Sequence, residues 1–203
     1  MTFPSPPALL IVPGLRDHVA DHWQTHLERQ IPGARSVPPL EHDKLSCAAR
    51  VDALEAALAA IAGPVVLAAH SAGVMIVAHW ARQYRRPIVG ALLATPADLE
   101  TPLPAGYPTY EQLDRHGWLP TPRTPLPFPS IVAASTNDPL GRFERIEALA
   151  SAWGSRFIDV GAVGHLNPAS GYGSWADAQI LLADLLSNDG MHPASQTLDA
   201  PNP

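Results

Sequence analysis

Three residues of the kinds that together turn a hydroxyl into a nucleophile occur in this chain in the order Ser71, Asp138, His165. A serine hydroxyl is a poor nucleophile at neutral pH. A histidine that takes its proton during attack, and returns it to the leaving group, opens acyl transfer to it. A carboxylate on the other ring nitrogen fixes the histidine tautomer and stabilises the imidazolium. Ser71 stands in Ala69-His70-Ser71-Ala72-Gly73, a G-x-S-x-G pattern with Ala at its first position. Small residues two before and two after the serine relieve the crowding where a strand reverses directly into a helix. That turn lifts Oγ clear of the sheet at a helix N-terminus, whose unpaired N–H groups favour developing negative charge.

Each residue also has a plainer reading. Ser71 is a good helix N-cap, Asp138 before Pro139 makes an N-cap and first-turn pair, and His165 could be a loop histidine bonded to backbone. The elements around them weigh the other way. Residues 65–69 are a short apolar run rich in β-branched side chains, and Val74, Val77, Ala78 and Ala81 then recur at helical spacing. Ser71 therefore sits between strand and helix. Residues 130–135 read as a strand followed by Asn137-Asp138-Pro139, and residues 156–160 as a strand followed by Gly161-Ala162-Val163-Gly164-His165. In a parallel α/β sheet functional groups gather beyond the carboxyl ends of the strands, where all three residues fall. Asp159 is a rival acid, but it lies inside the last strand. A tetrahedral intermediate further needs N–H donors for its oxyanion, expected from Ala72 and from Leu15 in the turn after the first strand.

The remaining elements complete an alternation. Ala8–Val12 is a buried strand ended by Pro13-Gly14, and Val19, Trp23, Leu27 and Ile31 recur along a helix stopped by Pro32-Gly33. Residues 34–37 form a second strand. Ser46 caps a helix whose Val51, Leu54, Leu58 and Ile61 share one face. Residues 88–95 are a further strand, whereas 96–129 hold nine prolines and little periodicity, as expected of an irregular excursion. A helix with Phe143, Ile146, Leu149 and Trp153 follows 130–135, and Ser174-x-x-Asp177 resembles a capping box before a final helix. Strands that are apolar throughout, alternating with helices, predict an α/β fold with a parallel sheet covered on both faces.

The 203 residues, 46% of them hydrophobic, suit one domain with a sizeable core, expected over 1–186 with a polar, Pro-rich tail over 187–203. A net charge of −6 lacks the basic footprint of a nucleic-acid binder. Cys47, the only cysteine, excludes an internal disulfide framework and a cysteine metal site, and suits a reducing compartment, so a cytoplasmic location is expected. There is no basic, apolar leader and no run near the ~20 apolar residues that span a bilayer, so neither signal peptide nor membrane partner is expected. No phosphate loop is present, and Gly171-Tyr172-Gly173 is too short for a dinucleotide fingerprint. No cofactor is expected. His18, His22 and His26, four apart, would line one helix face, but no carboxylate pattern accompanies them, and no metal site is expected.

Taken together, several stretches resemble the small, lidless α/β-hydrolases of the predicted serine esterase family that includes retinoblastoma-binding protein nine and YdeN-like serine hydrolases. They are Val12-Pro13-Gly14-Leu15, Asp21-His22-Trp23-Gln24, His70-Ser71-Ala72-Gly73, Leu126-Pro127-Phe128-Pro129-Ser130, Asn137-Asp138-Pro139, Trp153-Gly154, Gly164-His165-Leu166-Asn167 and Ser170-Gly171-Tyr172-Gly173-Ser174-Trp175. The resemblance implies a three-layer α/β-hydrolase fold with a six-stranded sheet and no cap domain, a triad of Ser71, Asp138 and His165, and hydrolysis of small acyl substrates. The chain departs from the family at Ala69, usually Gly, and at Arg16-Asp17-His18-Val19-Ala20, usually rich in Gly and Ser. Beside the triad, His70, Trp118, Phe128 and Trp175 are candidate walls of a substrate pocket, core packing being the alternative for the aromatics. The reading is thus a serine hydrolase of small carboxylic esters or amides. The alternatives are a catalytically silent binding module that keeps the fold, and other chemistry on the same fold.

Overall fold

In the computed structural model, which describes residues 6–187, the strands are β1 (Ala8–Val12), β2 (Arg35–Ser36), β3 (Val65–His70), β4 (Gly90–Ala94), β5 (Ser130–Ala134) and β6 (Arg156–Asp159). They form one sheet in the order β2-β1-β3-β4-β5-β6, and every neighbouring pair is parallel. The helices are α1 (Trp23–Gln30), α2 (Cys47–Ala59), α3 (Ala72–Gln83), α4 (Tyr110–Arg115), α5 (Phe143–Trp153) and α6 (Asp177–Ser187).

Period-two alternation sends successive strand side chains to opposite faces, and each face has its own core. Leu10, Val12, Leu67, Ala69, Leu93 and Val132 pack with Leu54 and Leu58 of α2, Met75 and Trp80 of α3, and Ile146 and Leu149 of α5. Leu9, Ile11, Val66, Ala68, Leu92 and Ile131 pack with Trp23 and Leu27 of α1 and with Leu182 and Leu185 of α6. Both faces are covered, which is why the four inner strands, β1, β3, β4 and β5, read as largely apolar runs, whereas the edge strands β2 and β6 carry Arg35, Arg156 and Asp159. Burying one Leu or Ile side chain in this way contributes about 1.5–3 kcal/mol. The result is a three-layer α/β-hydrolase fold.

Several boundaries differ from the sequence expectation. The first helix starts at Trp23, so Val19 precedes it. His18 is then outside the helix, His22 is its N-cap and His26 pairs with Asp21 at 2.8 Å, and the three histidines do not share a helix face. The excursion over 96–129 contains α4, opened by a capping box between Thr109 and Gln112. The last helix begins at Asp177, so the Ser174-x-x-Asp177 spacing does not place Ser174 at its cap. Apart from Ser187, which ends α6, the expected tail lies outside the described residues. Among those residues no helix is long and apolar enough to cross a membrane.

Candidate active site

The turn from β3 into α3 is as tight as the small residues around Ser71 require. Ser71 has φ 59° and ψ −130°, a region that residues with a Cβ rarely enter, at a cost of about 1–3 kcal/mol. A Cβ added at Gly73 would stand 2.2 Å from the Val12 carbonyl oxygen and 2.7 Å from that of Pro13. Only glycine lets α3 begin this close to the end of β1. Gly14 abuts the serine from the other side, where an added Cβ would meet Ser71 Cβ at 3.1 Å and Oγ at 3.4 Å. The Ser71 hydroxyl caps no helix N–H. Among the described residues it makes no hydrogen bond to protein.

Asp138 and His165 come from the loops after β5 and β6 and meet. His165 Nδ1–H donates to Asp138 Oδ2 at 2.8 Å and to Oδ1 at 3.0 Å, both side chains being almost fully buried. That fixes the tautomer and leaves Nε2 as the acceptor nitrogen. The Leu140 N–H holds Asp138 Oδ1 at 2.8 Å. The loop carrying His165 is tied to the loop after β5 by Asn137 Oδ1, which accepts from the Gly164 N–H at 2.6 Å, and by Ser135 Oγ, which accepts from Val163 N–H at 3.2 Å. From the nucleophile strand, His70 Nε2–H donates to the His165 carbonyl at 2.9 Å. Burial foremost, then the neighbouring His165 and His22, holds His70 well below the ordinary histidine pKa, and it stays a neutral donor.

Ser71, Ala72, His70 and His165 line one cavity of about 440 Å³ with Gly14 and Leu15. Among the described residues neither the Leu15 nor the Ala72 N–H donates to another protein group. The turn bearing Leu15 is clamped from behind by Arg50 of α2, 5% exposed. Its guanidinium donates to Asp17 Oδ1 at 2.9 Å, to the Leu15 carbonyl at 3.2 Å and to the Lys44 carbonyl at 2.8 Å. Here the departure at Arg16 to Ala20 acquires a structural reason: Asp17, with φ 55°, is the carboxylate that the buried Arg50 needs. Ala97, Leu99, Leu103, Tyr107 and Leu140 give the cavity an apolar wall. The Asp98 N–H donates to the Leu140 carbonyl at 2.8 Å, and the Asp98 carboxylate pairs with Arg145 of α5, so the wall is tied down.

The aromatic expectations need correction. Trp118, Phe128 and Trp175 do not line the cavity. Trp118 is fully buried with Nε1–H donating to the Leu45 carbonyl at 2.7 Å, and Phe128 packs on Trp80 in the same core. Trp175 lies edge-on to Trp23 at 5.1 Å in the core on the opposite face of the sheet. Large apolar area won these three for the core, and the apolar wall was built instead from the proline-rich excursion. Of the four candidates only His70 borders the cavity. Arg50 and Asn137 escaped the sequence reading as site supports. Arg50 looks like any helix residue until its partner 33 positions earlier is beside it, whereas Asn137, next to Asp138, could have been found.

A family model described as serine hydrolase matches residues 9–184. A solved structure named a YdeN-like hydrolase, from Pectobacterium atrosepticum, is 31% identical and superposes with a TM-score of 0.76, covering 89% of this chain and 91% of that one. The ydeN gene product of B. subtilis is 18% identical with a TM-score of 0.66, covering 90% and 100%. Est1E of Butyrivibrio proteoclasticus shares the fold at 10% identity, with a TM-score of 0.66 and coverage of 90% and 89%. No curated protein matches the chain.

Proposed function

The chain belongs to the serine hydrolase family, among the small YdeN-like hydrolases, and on that premise we propose that it hydrolyses small carboxylic esters, and amides of the same acyl groups, through an acyl-enzyme on Ser71. The observation that carries this reading is the His165 Nδ1–H bond to Asp138 at 2.8 Å, behind a cavity that His165 lines together with a serine of φ 59°.

The chemistry then runs as follows. Ser71 Oγ attacks the ester carbonyl while His165 Nε2 takes the hydroxyl proton. Substrate entry brings those two atoms into hydrogen-bond contact, a contact commonly long in free enzymes. Asp138 stabilises the resulting imidazolium without taking its proton. The oxyanion accepts from the Leu15 and Ala72 N–H groups, a reading supported by their lack of a protein acceptor among the described residues and by both residues lining the cavity. Removing one such donor typically costs about 100- to 1000-fold in rate. Collapse of the intermediate expels the alcohol, protonated by His165. Water, activated by the same histidine, then releases the acid and restores Ser71. The apolar wall of Ala97, Leu99, Leu103 and Leu140 takes the acyl group, and the cavity volume suits a short to medium chain.

Rapid mixing with p-nitrophenyl esters tests the reading. A stoichiometric burst of nitrophenol followed by slower turnover is expected, with both absent in Ser71→Ala. Undiminished turnover in Ser71→Ala would remove the acyl-enzyme from Ser71.

A further inference from the structure

A second imidazole in the wall of the same cavity has a role that acyl transfer leaves open. His22 is 6% exposed and lines the same cavity as Ser71 and His165. Its ring centroid is 4.5 Å from that of His70, which in turn is 4.8 Å from that of His165. Nδ1 of His22 accepts the Gln24 N–H at 3.2 Å, capping α1. A neutral imidazole whose Nδ1 accepts must carry its proton on Nε2. The ring is held neutral: burial first, then His165, His18 and His26, brings its pKa down to about 4.

That Nε2–H has no partner among the described residues, yet it is not sealed off. Trp23 Nε1 is the one polar side-chain atom there that is both buried from solvent and unpartnered. His22 is among the residues that line the cavity, which offers that N–H a space to reach a ligand. Capping alone does not call for histidine, since Ser, Asp or Asn would satisfy Gln24 at least as well. The imidazole adds a fixed N–H, nearly stripped of water, on a residue that lines the same cavity as Ser71 and His165.

We propose that His22 is a substrate-binding residue whose Nε2–H donates to a second, neutral oxygen of the substrate, so that the preferred substrates are esters carrying an ether, hydroxyl or carbonyl oxygen near the reacting carbonyl. This rests on the esterase reading above. A donor fixed in a dry site discriminates because an analogue without the oxygen leaves it unpaired, and such sites reject the poorer analogue far more strongly than apolar pockets reject a methylene.

Two ester series test it, one varied in the acyl chain and one in the alcohol. In each, one methylene at a time is replaced by an ether oxygen, and each kcat/KM is divided by the ester's alkaline hydrolysis rate. The wild type is expected to prefer at least one oxygen-bearing ester over its methylene counterpart by about tenfold, the worth of one hydrogen bond. In His22→Asn, which keeps a capping oxygen for Gln24 but places no N–H at the Nε2 position, that ratio should fall to about one. His22→Ser, another capping residue, serves the same purpose should the Asn variant not fold. No preference in the wild type, or a ratio unchanged in the variants, overturns the proposal. Failure of the esterase reading itself is distinguishable, because a fluorophosphonate would then leave Ser71 unmodified and no ester of either series would turn over.

Discussion

His165 Nδ1 and Asp138 Oδ2 lie 2.8 Å apart, both side chains almost wholly buried, on loops that follow different strands. With the proton of the pair on Nδ1, the opposite nitrogen is available to a hydroxyl. Asp138→Asn presents an amide that can donate to Nδ1 and so favours the other tautomer. We expect kcat to fall by about 10⁴, as loss of the correct tautomer does in serine proteases, with the fold retained by circular dichroism. A variant within tenfold of the wild type would remove Asp138 from the mechanism.

Ser71 shows the opposite relation between stability and activity. Its φ of 59° costs a serine about 1–3 kcal/mol and a glycine little. Ser71→Gly should therefore unfold at higher urea than the wild type, by about 1 kcal/mol, while losing turnover. A variant less stable than the wild type would contradict the claim that the elbow is strained.

Gly73→Ala tests the close approach of β1 and α3. The added Cβ would stand 2.2 Å from a carbonyl oxygen on the neighbouring chain segment, and backbone must shift to admit it. A loss of about 3 kcal/mol or more is expected in urea titration, with esterase activity falling alongside. A change below about 0.5 kcal/mol would contradict the elbow geometry.

How legible was this site beforehand? The inner strands were legible because a sheet buried on both faces needs continuous apolar runs, and Ser71 and Asp138 because each follows such a run, whereas His165 follows the edge strand β6, whose ends are Arg156 and Asp159. α4 was not: its six residues sit among prolines, and the Thr109–Gln112 pair was its one local signal. Trp118 and Trp175 are candidate pocket walls by residue type alone, and core packing, the alternative for aromatics, is what the structure shows, each ring lying in a separate core. The spacing of His18, His22 and His26 suggested one face, because nothing in the spacing reveals that the helix begins only after His22. Arg50 depends on a turn 33 residues away and has no local signature.

Arg50 also supplies a prediction. Arg50→Met removes the guanidinium that holds Asp17 and the Leu15 carbonyl, leaving the turn that presents the Leu15 N–H free to shift. We expect kcat to fall by about 100-fold with KM changed much less, since the oxyanion exists only past the ground state. Breaking a largely buried pair also costs stability, so the rate is compared at a temperature where the variant is folded. An equal loss in KM alone would place Arg50 outside oxyanion support.

Acid should destabilise the fold through its buried histidines. His22 has a folded pKa of about 4 against the ordinary 6.5, and His70 is lowered in the same direction, both mainly by burial. Below pH 6.5 the unfolded chain takes up protons that the folded one refuses. The stability contributed by these neutral rings is therefore complete above pH 6.5 and is lost as pH falls toward 4. Urea midpoints measured across that window should drop steadily, and less steeply in His22→Asn. A flat profile in the wild type would contradict burial as the cause.

The central claim is that Ser71 is an activated nucleophile, and covalent labelling reads it most directly. The protein and its Ser71→Ala variant would be treated with a fluorophosphonate and the adduct located by peptide mass spectrometry. Modification confined to the peptide containing Ser71, and absent from the folded variant, is the result predicted. A folded wild-type protein that remains unlabelled, or is labelled equally in both forms, would contradict it.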